Sequence, residues 1–184
     1  RATDEDDWAS TDYLYYLGSW EEGDMKTGWQ KILVHDELED DDKEHWFHFR
    51  ANGKKRYNDE PGLKDVKQET INGKKYGFDN RGVMVSQWTL ATGAKDSATA
   101  ASSSSWRYFR SPEDGARLSK GWFKVVAPHE DNDNVFTSDY GSKSFAKGDA
   151  DDENERWYWA DGDGIIKEGE IYKIKGKYYG FHPE

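Results

Sequence analysis

The sequence of 184 residues contains no cysteine, so it can form no disulfide and offers no thiolate for metal binding or catalysis. It is also poor in aliphatic side chains: only 34% of its residues are hydrophobic, against about 45–50% in most globular domains. No run approaches the roughly 18 apolar residues that a membrane-spanning helix needs. Helical periodicity is weak nearly everywhere. The chain must therefore be held together by packing, by repeats or by ions.

Basic clusters are scarce. Lysine and arginine number 26 against 37 acidic residues, which gives a formal net charge of −11. The longest basic clusters, 54–56 and 74–75, are very short. Because such a surface repels a polyanion, we expect no nucleic-acid partner. The acidic balance suits solubility or a cationic ligand.

Motifs for catalysis and metal binding are also missing. There is no Gly-x-Ser-x-Gly elbow and no phosphate-binding glycine loop. The acidic stretches 130–134 and 149–155 do not fit a calcium loop, and the spacing of His45 and His48 puts them on opposite faces of a strand. We therefore expect no enzyme, no cofactor and no metal site. A carboxylate pair for glycoside hydrolysis stays open as an alternative, since acidic residues are abundant.

What the sequence has in plenty is aromatic rings, with nine tryptophans, eleven tyrosines and eight phenylalanines. Short aromatic runs alternate with turns such as Asn52-Gly53 and Asn72-Gly73, which supply the positive φ angles of tight hairpins. One hairpin cannot bury its ring face, but hairpins stacked in series can. The pattern predicts an all-β fold of tandem aromatic β-hairpins in an elongated, solenoid-like array.

The chain also carries an internal duplication. Four anchors recur in the same order: Trp8 as Trp88, Gly28-Trp29 as Gly121-Trp122, 46–49 as 157–160, and 71–78 as 174–181. This predicts two unequal copies of a three-hairpin unit, residues 8–87 and 88–184. The Ser-rich stretch 91–105 then falls inside a hairpin of a continuous array, as a flexible loop.

The ordered series of Gly-Trp pairs, aromatic strands and glycine turns resembles the choline-binding and related cell-wall-binding repeats of Gram-positive bacteria. The pieces that carry the resemblance are Gly28-Trp29, 46–49 with Gly53, 71–78 with Gly82-Val83-Met84, 106–109 with Gly121-Trp122, 157–159 with Gly164, and 177–181. The resemblance implies a non-catalytic module that binds a cell-wall polymer, through a choline-like or glycan ligand. It also implies an extracellular place on the bacterial surface, where the module anchors a surface or secreted protein. A catalytic or adhesive domain would then lie outside this chain.

The resemblance further implies that rings of neighbouring hairpins hold the ligand, because ring faces attract a quaternary ammonium group and open rings can stack on sugars. The candidate ligand-binding residues are Trp29, Trp46, Tyr76, Trp88, Trp106, Trp122, Trp157 and Tyr179. Two other readings stay open. One is a structural spacer or protein-interaction array in which every ring is core, and the other is a wall-polymer hydrolase.

Overall fold

The fold is built almost entirely of short strands, as predicted. A computed structural model describes residues 5–10, 12, 14–18, 21–37, 40–59, 66–90, 102–128 and 155–183. Within them lie one short helix, α1 (Glu5–Trp8), and the strands β1 (Gly28–Asp36), β2 (Asp41–Phe49), β3 (Lys67–Ile71), β4 (Lys74–Phe78), β5 (Gln87–Leu90), β6 (Trp106–Phe109), β7 (Gly121–Val126), β8 (Glu155–Ala160), β9 (Ile171–Ile174) and β10 (Lys177–Gly180). No described helix is long and apolar enough to cross a membrane.

The strands pair only with their chain neighbours. β1 pairs with β2, β3 with β4, β5 with β6, β7 with β8 and β9 with β10, each pair forming its own antiparallel sheet. In the turn between β3 and β4, Asn72 and Gly73 have φ angles of 50° and 79°, as a tight hairpin turn requires. The prediction of tandem aromatic hairpins is confirmed.

Short return segments after β2, β4 and β6 connect their own hairpins to the part of the chain that comes before. Met84 forms an isolated bridge with Phe78 at the end of β4. Its backbone N–H donates to the Trp46 carbonyl on β2, at 2.9 Å. The same double link occurs elsewhere: Lys55 bridges Phe49 and donates to Leu14, and Arg117 bridges Phe109 and donates to Lys75. These links connect the segment 14–18 and the first three hairpins in series.

The apolar side chains form several thin cores instead of one. The largest holds Trp88, Leu90, Trp106, Phe123 and Tyr158. Another gathers the buried residues Trp8, Val34, Phe47, Phe49 and Val83. This division follows from the composition, because a bulky ring fills the narrow space between two hairpins without the help of many aliphatic residues.

The duplication is visible in the packing. The Trp8 ring meets Phe47 edge-on at 5.8 Å and 79°, and the Trp88 ring meets Tyr158 at 5.0 Å and 75°. The two indole N–H groups also have similar partners, since each donates to a backbone carbonyl near the end of the first strand of a hairpin: Trp8 Nε1 to His35 of β1 at 2.8 Å, and Trp88 Nε1 to Val126 of β7 at 2.7 Å. Two anchors that are far apart in sequence thus have the same structural role.

The copies differ at their first hairpin. In the second copy this hairpin is β5–β6, whereas the first copy begins at the end of α1 and continues with the segment 14–18, which is not assigned to a strand. The hydrogen bond from Lys26 N to the Tyr16 carbonyl matches that from Leu118 N to the Tyr108 carbonyl, both at 2.8 Å. Tyr16 is therefore the structural equivalent of Tyr108. The spacing from Gly28-Trp29 in the sequence would instead align Tyr15 with Tyr108, so the two alignments differ by one residue.

The Ser-rich stretch lies within a hairpin, because β5 and β6 pair on either side of it. The last residues of the stretch are packed against the fold, however. Ser103–Ser105 form a 3-10 turn, Ser103 and Ser105 are buried, and the Ser103 hydroxyl donates to the Ile166 carbonyl at 3.1 Å. Residues 91–101 lie outside the described part of the chain, as do 130–134 and most of 149–155.

Candidate aromatic ligand sites

Four positions come together wherever one hairpin meets the next. Two belong to the first hairpin: the second residue of its first strand, and the residue three before the end of its second strand. The third lies on the second strand of the next hairpin, and the fourth is the bridge residue that follows. At the junction of β1–β2 with β3–β4 these residues are Trp29, Trp46, Tyr76 and Met84. The side chains at these positions decide what each junction can hold.

The first ring cluster comprises Trp29, Trp46, Tyr76, Phe78 and Met84. Trp29 is its centre: its ring lies 6.4 Å from Trp46 at 84°, 4.8 Å from Tyr76 at 63°, and is stacked on Phe78 at 5.9 Å. Phe78 and Met84 are buried, whereas Trp29, Trp46 and Tyr76 are half-buried. Three candidate rings are thus brought together with part of their surface open to solvent.

The charge state of His48 bears on the electrostatic surroundings of Trp29. His48 lies edge-on to Trp29 at 4.9 Å. Burial, together with the charge of Arg56, lowers the pKa of His48 to about 4, so this imidazole is uncharged at neutral pH. Arg56 itself is paired with Glu69 at 2.8 Å. His48 therefore does not oppose a cation at the ring faces, whereas Arg50 and Arg56 share the single carboxylate of Glu69.

The second ring cluster comprises Trp122, Tyr179 and Phe181, at the junction of β7–β8 with β9–β10, and Trp157 occupies the strand position equivalent to Trp46. Trp122 lies 4.9 Å from Tyr179 at 62° and is stacked on Phe181 at 5.7 Å. The equivalent contacts of Trp29 in the first ring cluster are nearly the same in distance. The duplication has therefore preserved an arrangement of rings as well as a hairpin.

The second ring cluster is the more open of the two. Trp122 is 39% exposed and Trp157 is 63% exposed, while Tyr179 is half-buried. Among the residues that the structure describes, none stacks on the Trp157 ring. Trp157 is thus placed near the cluster by its strand position but is not joined to it by a ring contact.

The remaining two candidate rings lie in a closed junction. Trp88 is 2% exposed and Trp106 is 0% exposed, packed with Tyr158 and Ile166 in the largest core. An external ligand cannot reach them without opening that core. We therefore correct the expectation for Trp88 and Trp106: they are packing residues, buried because the next hairpin lies directly over both of them.

The junction that contains Trp8 is filled by the protein's own cations. Lys55 is the bridge residue there, and its Nζ donates to the Trp8 carbonyl at 2.7 Å. Burial lowers the pKa of Lys55 to about 8. The Arg81 guanidinium lies over the Trp8 ring, 5.3 Å from its centre. This ring is consequently not available to a ligand.

The junction of β3–β4 with β5–β6 has lost its rings. Gln68, Lys75, Arg107 and Arg117 occupy the four positions. Arg117 donates to the Gln68 side chain at 2.7 Å, and Arg107 donates to the Asp163 carbonyl at 3.1 Å. Burial, followed by the charge of Arg117, lowers the pKa of Arg107. Two guanidinium groups here would repel a cationic ligand.

The buried carboxylates form a structural ion cluster. Asp36 and Asp79 both accept from Arg81, at 3.0 Å each, and Asp36 also pairs with His45 at 2.7 Å. Both carboxylates are thus engaged in ion pairs within the fold. Within the described ranges no group of three or more acidic or histidine side chains is placed to hold a metal ion.

Sequence reasoning overlooked Met84, Phe78, Phe181 and Glu113 as members of these clusters. A signal exists for Met84, because the bridge residue follows the last residue of the preceding strand by six positions at Phe49, Phe78 and Ala160. No sequence signal reveals Glu113, because only folding brings it close to Trp46. Its carboxylate accepts a hydrogen bond from the Trp46 indole N–H at 3.1 Å.

No family model and no curated protein matches this chain. Among solved structures it is similar to choline binding protein F from Streptococcus pneumoniae in the presence of a peptidoglycan analogue, at 18% identity over 93% of this chain and 38% of that protein, with a TM-score of 0.48. It is also similar to the cell wall endolysin from phage Cp-1 complexed with choline, at 18% identity over 84% of this chain and 32% of that protein, with a TM-score of 0.37.

A truncated alternansucrase from Leuconostoc mesenteroides matches at 15% identity over 92% of this chain and 11% of that protein, with a TM-score of 0.32. The chain thus spans well under half the length of each of these proteins. The first two are of the kind that the sequence resembles. What this chain itself binds has to be inferred from its own rings.

Proposed function

We propose that this protein is a non-catalytic module that binds a cell-wall polymer through two aromatic sites and anchors a surface or secreted bacterial protein. The observation that carries the proposal is the repetition of one arrangement of rings: Trp29 with Tyr76 and Phe78, and Trp122 with Tyr179 and Phe181, at matching distances. Rings needed only for packing would be buried, as Trp88 and Trp106 are.

The ligand class follows from the chemistry of the ring faces. Half-exposed tryptophan and tyrosine faces attract an organic cation, and each ring contributes about 0.5–2 kcal/mol. The same faces can stack on a sugar ring of a glycan. We therefore propose either a choline-like group or a sugar unit of the polymer as the ligand, held by Trp29, Trp46 and Tyr76 and by Trp122, Trp157 and Tyr179.

The extracellular place, and a catalytic or adhesive domain elsewhere in the whole protein, belong to the same proposal. A module that binds a cell-wall polymer has to be outside the cell, where that polymer lies. Two sites on one array also allow two contacts with one chain of the polymer. Two linked contacts raise the avidity well beyond that of either site alone. This favours anchoring over a spacer role.

The proposal is tested by titrating choline, peptidoglycan fragments and a glucan while following tryptophan fluorescence. Loss of one ring should weaken its site roughly tenfold, since 1.4 kcal/mol corresponds to a factor of ten. Trp29→Ala and Trp122→Ala, which take away the central ring, should each weaken one site by at least this factor, and the double variant should weaken both.

Tyr178 and Tyr179 provide a matched control on one strand. They are neighbours on β10 and point to opposite faces, and Tyr178 is 72% exposed, away from Trp122. Tyr179→Ala should weaken binding, whereas Tyr178→Ala should leave it unchanged. If no probe alters the fluorescence of the unmodified protein, or if the double tryptophan variant binds normally while folded, the proposed sites are wrong.

A further inference from the structure

The return segment between Phe109 and Arg117, the 110–116 loop, is longer than its counterparts. Eight positions separate these two bridge partners, whereas six separate Phe49 from Lys55 and Phe78 from Met84. The loop belongs to the third hairpin, β5–β6, yet it extends back to the first ring cluster, which is formed by the two hairpins before it.

Three residues of the 110–116 loop act on three members of the first ring cluster. Glu113 Oε2 accepts from Trp46 Nε1 at 3.1 Å. The Gly115 backbone lies so close to Met84 that a Cβ there would be 2.6 Å from the sulfur atom. The third residue is Asp114, whose charge, after the larger effect of burial, raises the pKa of Tyr76. The 110–116 loop therefore lines one side of the first ring cluster.

The loop is held in shape by its own hydrogen bonds. Ser111 N donates to the Asp114 carbonyl at 2.9 Å, and Asp114 N donates to the Ser111 hydroxyl at 3.0 Å. The Asp114 carboxylate in turn accepts from Ala116 N at 3.3 Å. Pro112 restricts one further φ angle. The backbone position of Glu113 is thus determined before any ligand arrives.

We propose, on the basis of the function proposed above, that Glu113 is a positioning residue: it holds the Trp46 indole in the orientation that the ligand meets, and so makes the first ring cluster a site assembled from three consecutive hairpins. Lys31 Nζ donates to the other carboxylate oxygen of Glu113 at 2.8 Å and fixes it from the opposite side. The bonds from Lys31 and Trp46 also lower the pKa of Glu113, which keeps it a charged acceptor at neutral pH.

Because of this hydrogen bond, the Trp46 ring is already ordered before the ligand binds. An indole whose N–H is bonded cannot rotate freely about its side-chain bonds, so less conformational freedom is lost on binding. Trp157, the equivalent ring of the second cluster, is 63% exposed, and none of the described residues accepts a hydrogen bond from it. The two sites therefore differ in preorganisation although their central rings match.

The first test needs no ligand. In ¹⁵N-labelled protein, the indole N–H signal of Trp46, assigned by its loss in Trp46→Phe, should be protected from hydrogen exchange. Glu113→Ala should move this signal and remove the protection. Glu113→Gln should keep both, because the amide oxygen still accepts from the indole. Glu44→Ala is the matched control, since Glu44 also pairs with Lys31, at 3.5 Å, without contacting Trp46.

The second test is binding, in a Trp122→Ala background that leaves only the first site intact. Glu113→Ala should weaken choline or glucan binding about threefold to tenfold, and Glu113→Gln and Glu44→Ala should bind nearly as before. If Glu113→Gln loses as much affinity as Glu113→Ala, the charge and not the hydrogen bond matters, and the positioning role is refuted.

The two proposals fail in different ways. If the unmodified protein binds no probe, the proposed function is wrong, while the indole exchange still decides the role of Glu113. If Glu113→Ala leaves the exchange and the signal of Trp46 unchanged, Glu113 does not position the ring, whatever the protein binds.

Discussion

Replacing Lys55 with methionine should stabilise this protein at neutral pH. Lys55 is a buried bridge residue whose equivalent one hairpin later is Met84. Its pKa falls from 10.5 to about 8 because the charged ammonium loses its water on burial. The folded state therefore holds a charged lysine at pH 7 at a cost of about 3 kcal/mol relative to the unfolded chain.

The sign of the pH dependence follows from the same shift. Between pH 8 and 10.5 the unfolded chain keeps the lysine proton while the folded protein has released it, so the free energy of unfolding rises with pH by up to about 1.4 kcal/mol per unit. Below pH 8 both states are protonated and Lys55 contributes no slope. The useful window ends near pH 10, because tyrosines such as Tyr158, whose pKa burial raises to about 12, then begin to ionise in the unfolded chain first.

Lys55→Met removes this cost but also the hydrogen bond to the Trp8 carbonyl, which contributes about 1 kcal/mol. The net gain at pH 7 should be about 2 kcal/mol, and it should shrink as the pH approaches 10. Urea unfolding followed by tryptophan fluorescence at pH 6.5, 8, 9 and 10 measures both effects. Lys54→Met, at the exposed neighbouring position, should keep the native slope. A Lys55→Met protein that retains the native rise between pH 8 and 10, or that is less stable at pH 7, would refute the reasoning.

Two further predictions concern packing. Trp88→Ala should lower the free energy of unfolding in urea by about 3–5 kcal/mol, because it leaves a cavity in the largest core. Trp157→Ala, at a ring that is 63% exposed, should change it by less than about 0.5 kcal/mol. Similar losses for both would mean that the exposed ring also supports the fold. Gly77→Ala should cost about 1–3 kcal/mol, because its Cβ would lie 2.6 Å from Val85 and 2.7 Å from Val66. Gly121→Ala is the control, since nothing lies within 4 Å of the added atom, and equal effects would contradict the predicted crowding.

The architecture was accessible from the sequence because its signals are local. A turn such as Asn72-Gly73 has its conformation determined by two residues, and a run of alternating rings determines which face of a strand is buried. The order of Trp8, Gly28-Trp29 and their later counterparts shows the duplication without reference to any contact. Even the tie between Phe78 and Met84 follows a spacing that recurs along the chain.

The identity of the open rings was not accessible in this way. Trp29 and Trp88 occupy the same position in their strands, and both were predicted to bind a ligand. The difference in their exposure comes from the neighbouring hairpin. β7–β8 covers Trp88 completely, whereas the rings around Trp29 keep a face towards solvent. Burial is a property of the pair of hairpins and cannot be assigned from either strand alone.

The sequence by itself thus determined that this protein is a duplicated array of aromatic hairpins, because turns, alternation and repeats are encoded over a few residues. The tertiary structure decided which junctions stay open and which are filled. Trp106, Lys55 and Arg117 each help to fill a different junction. It also brought Glu113 to Trp46 across 67 residues of chain. The physical reason is that hairpin conformation depends on near neighbours, whereas exposure and side-chain partners depend on residues that meet only when the hairpins stack.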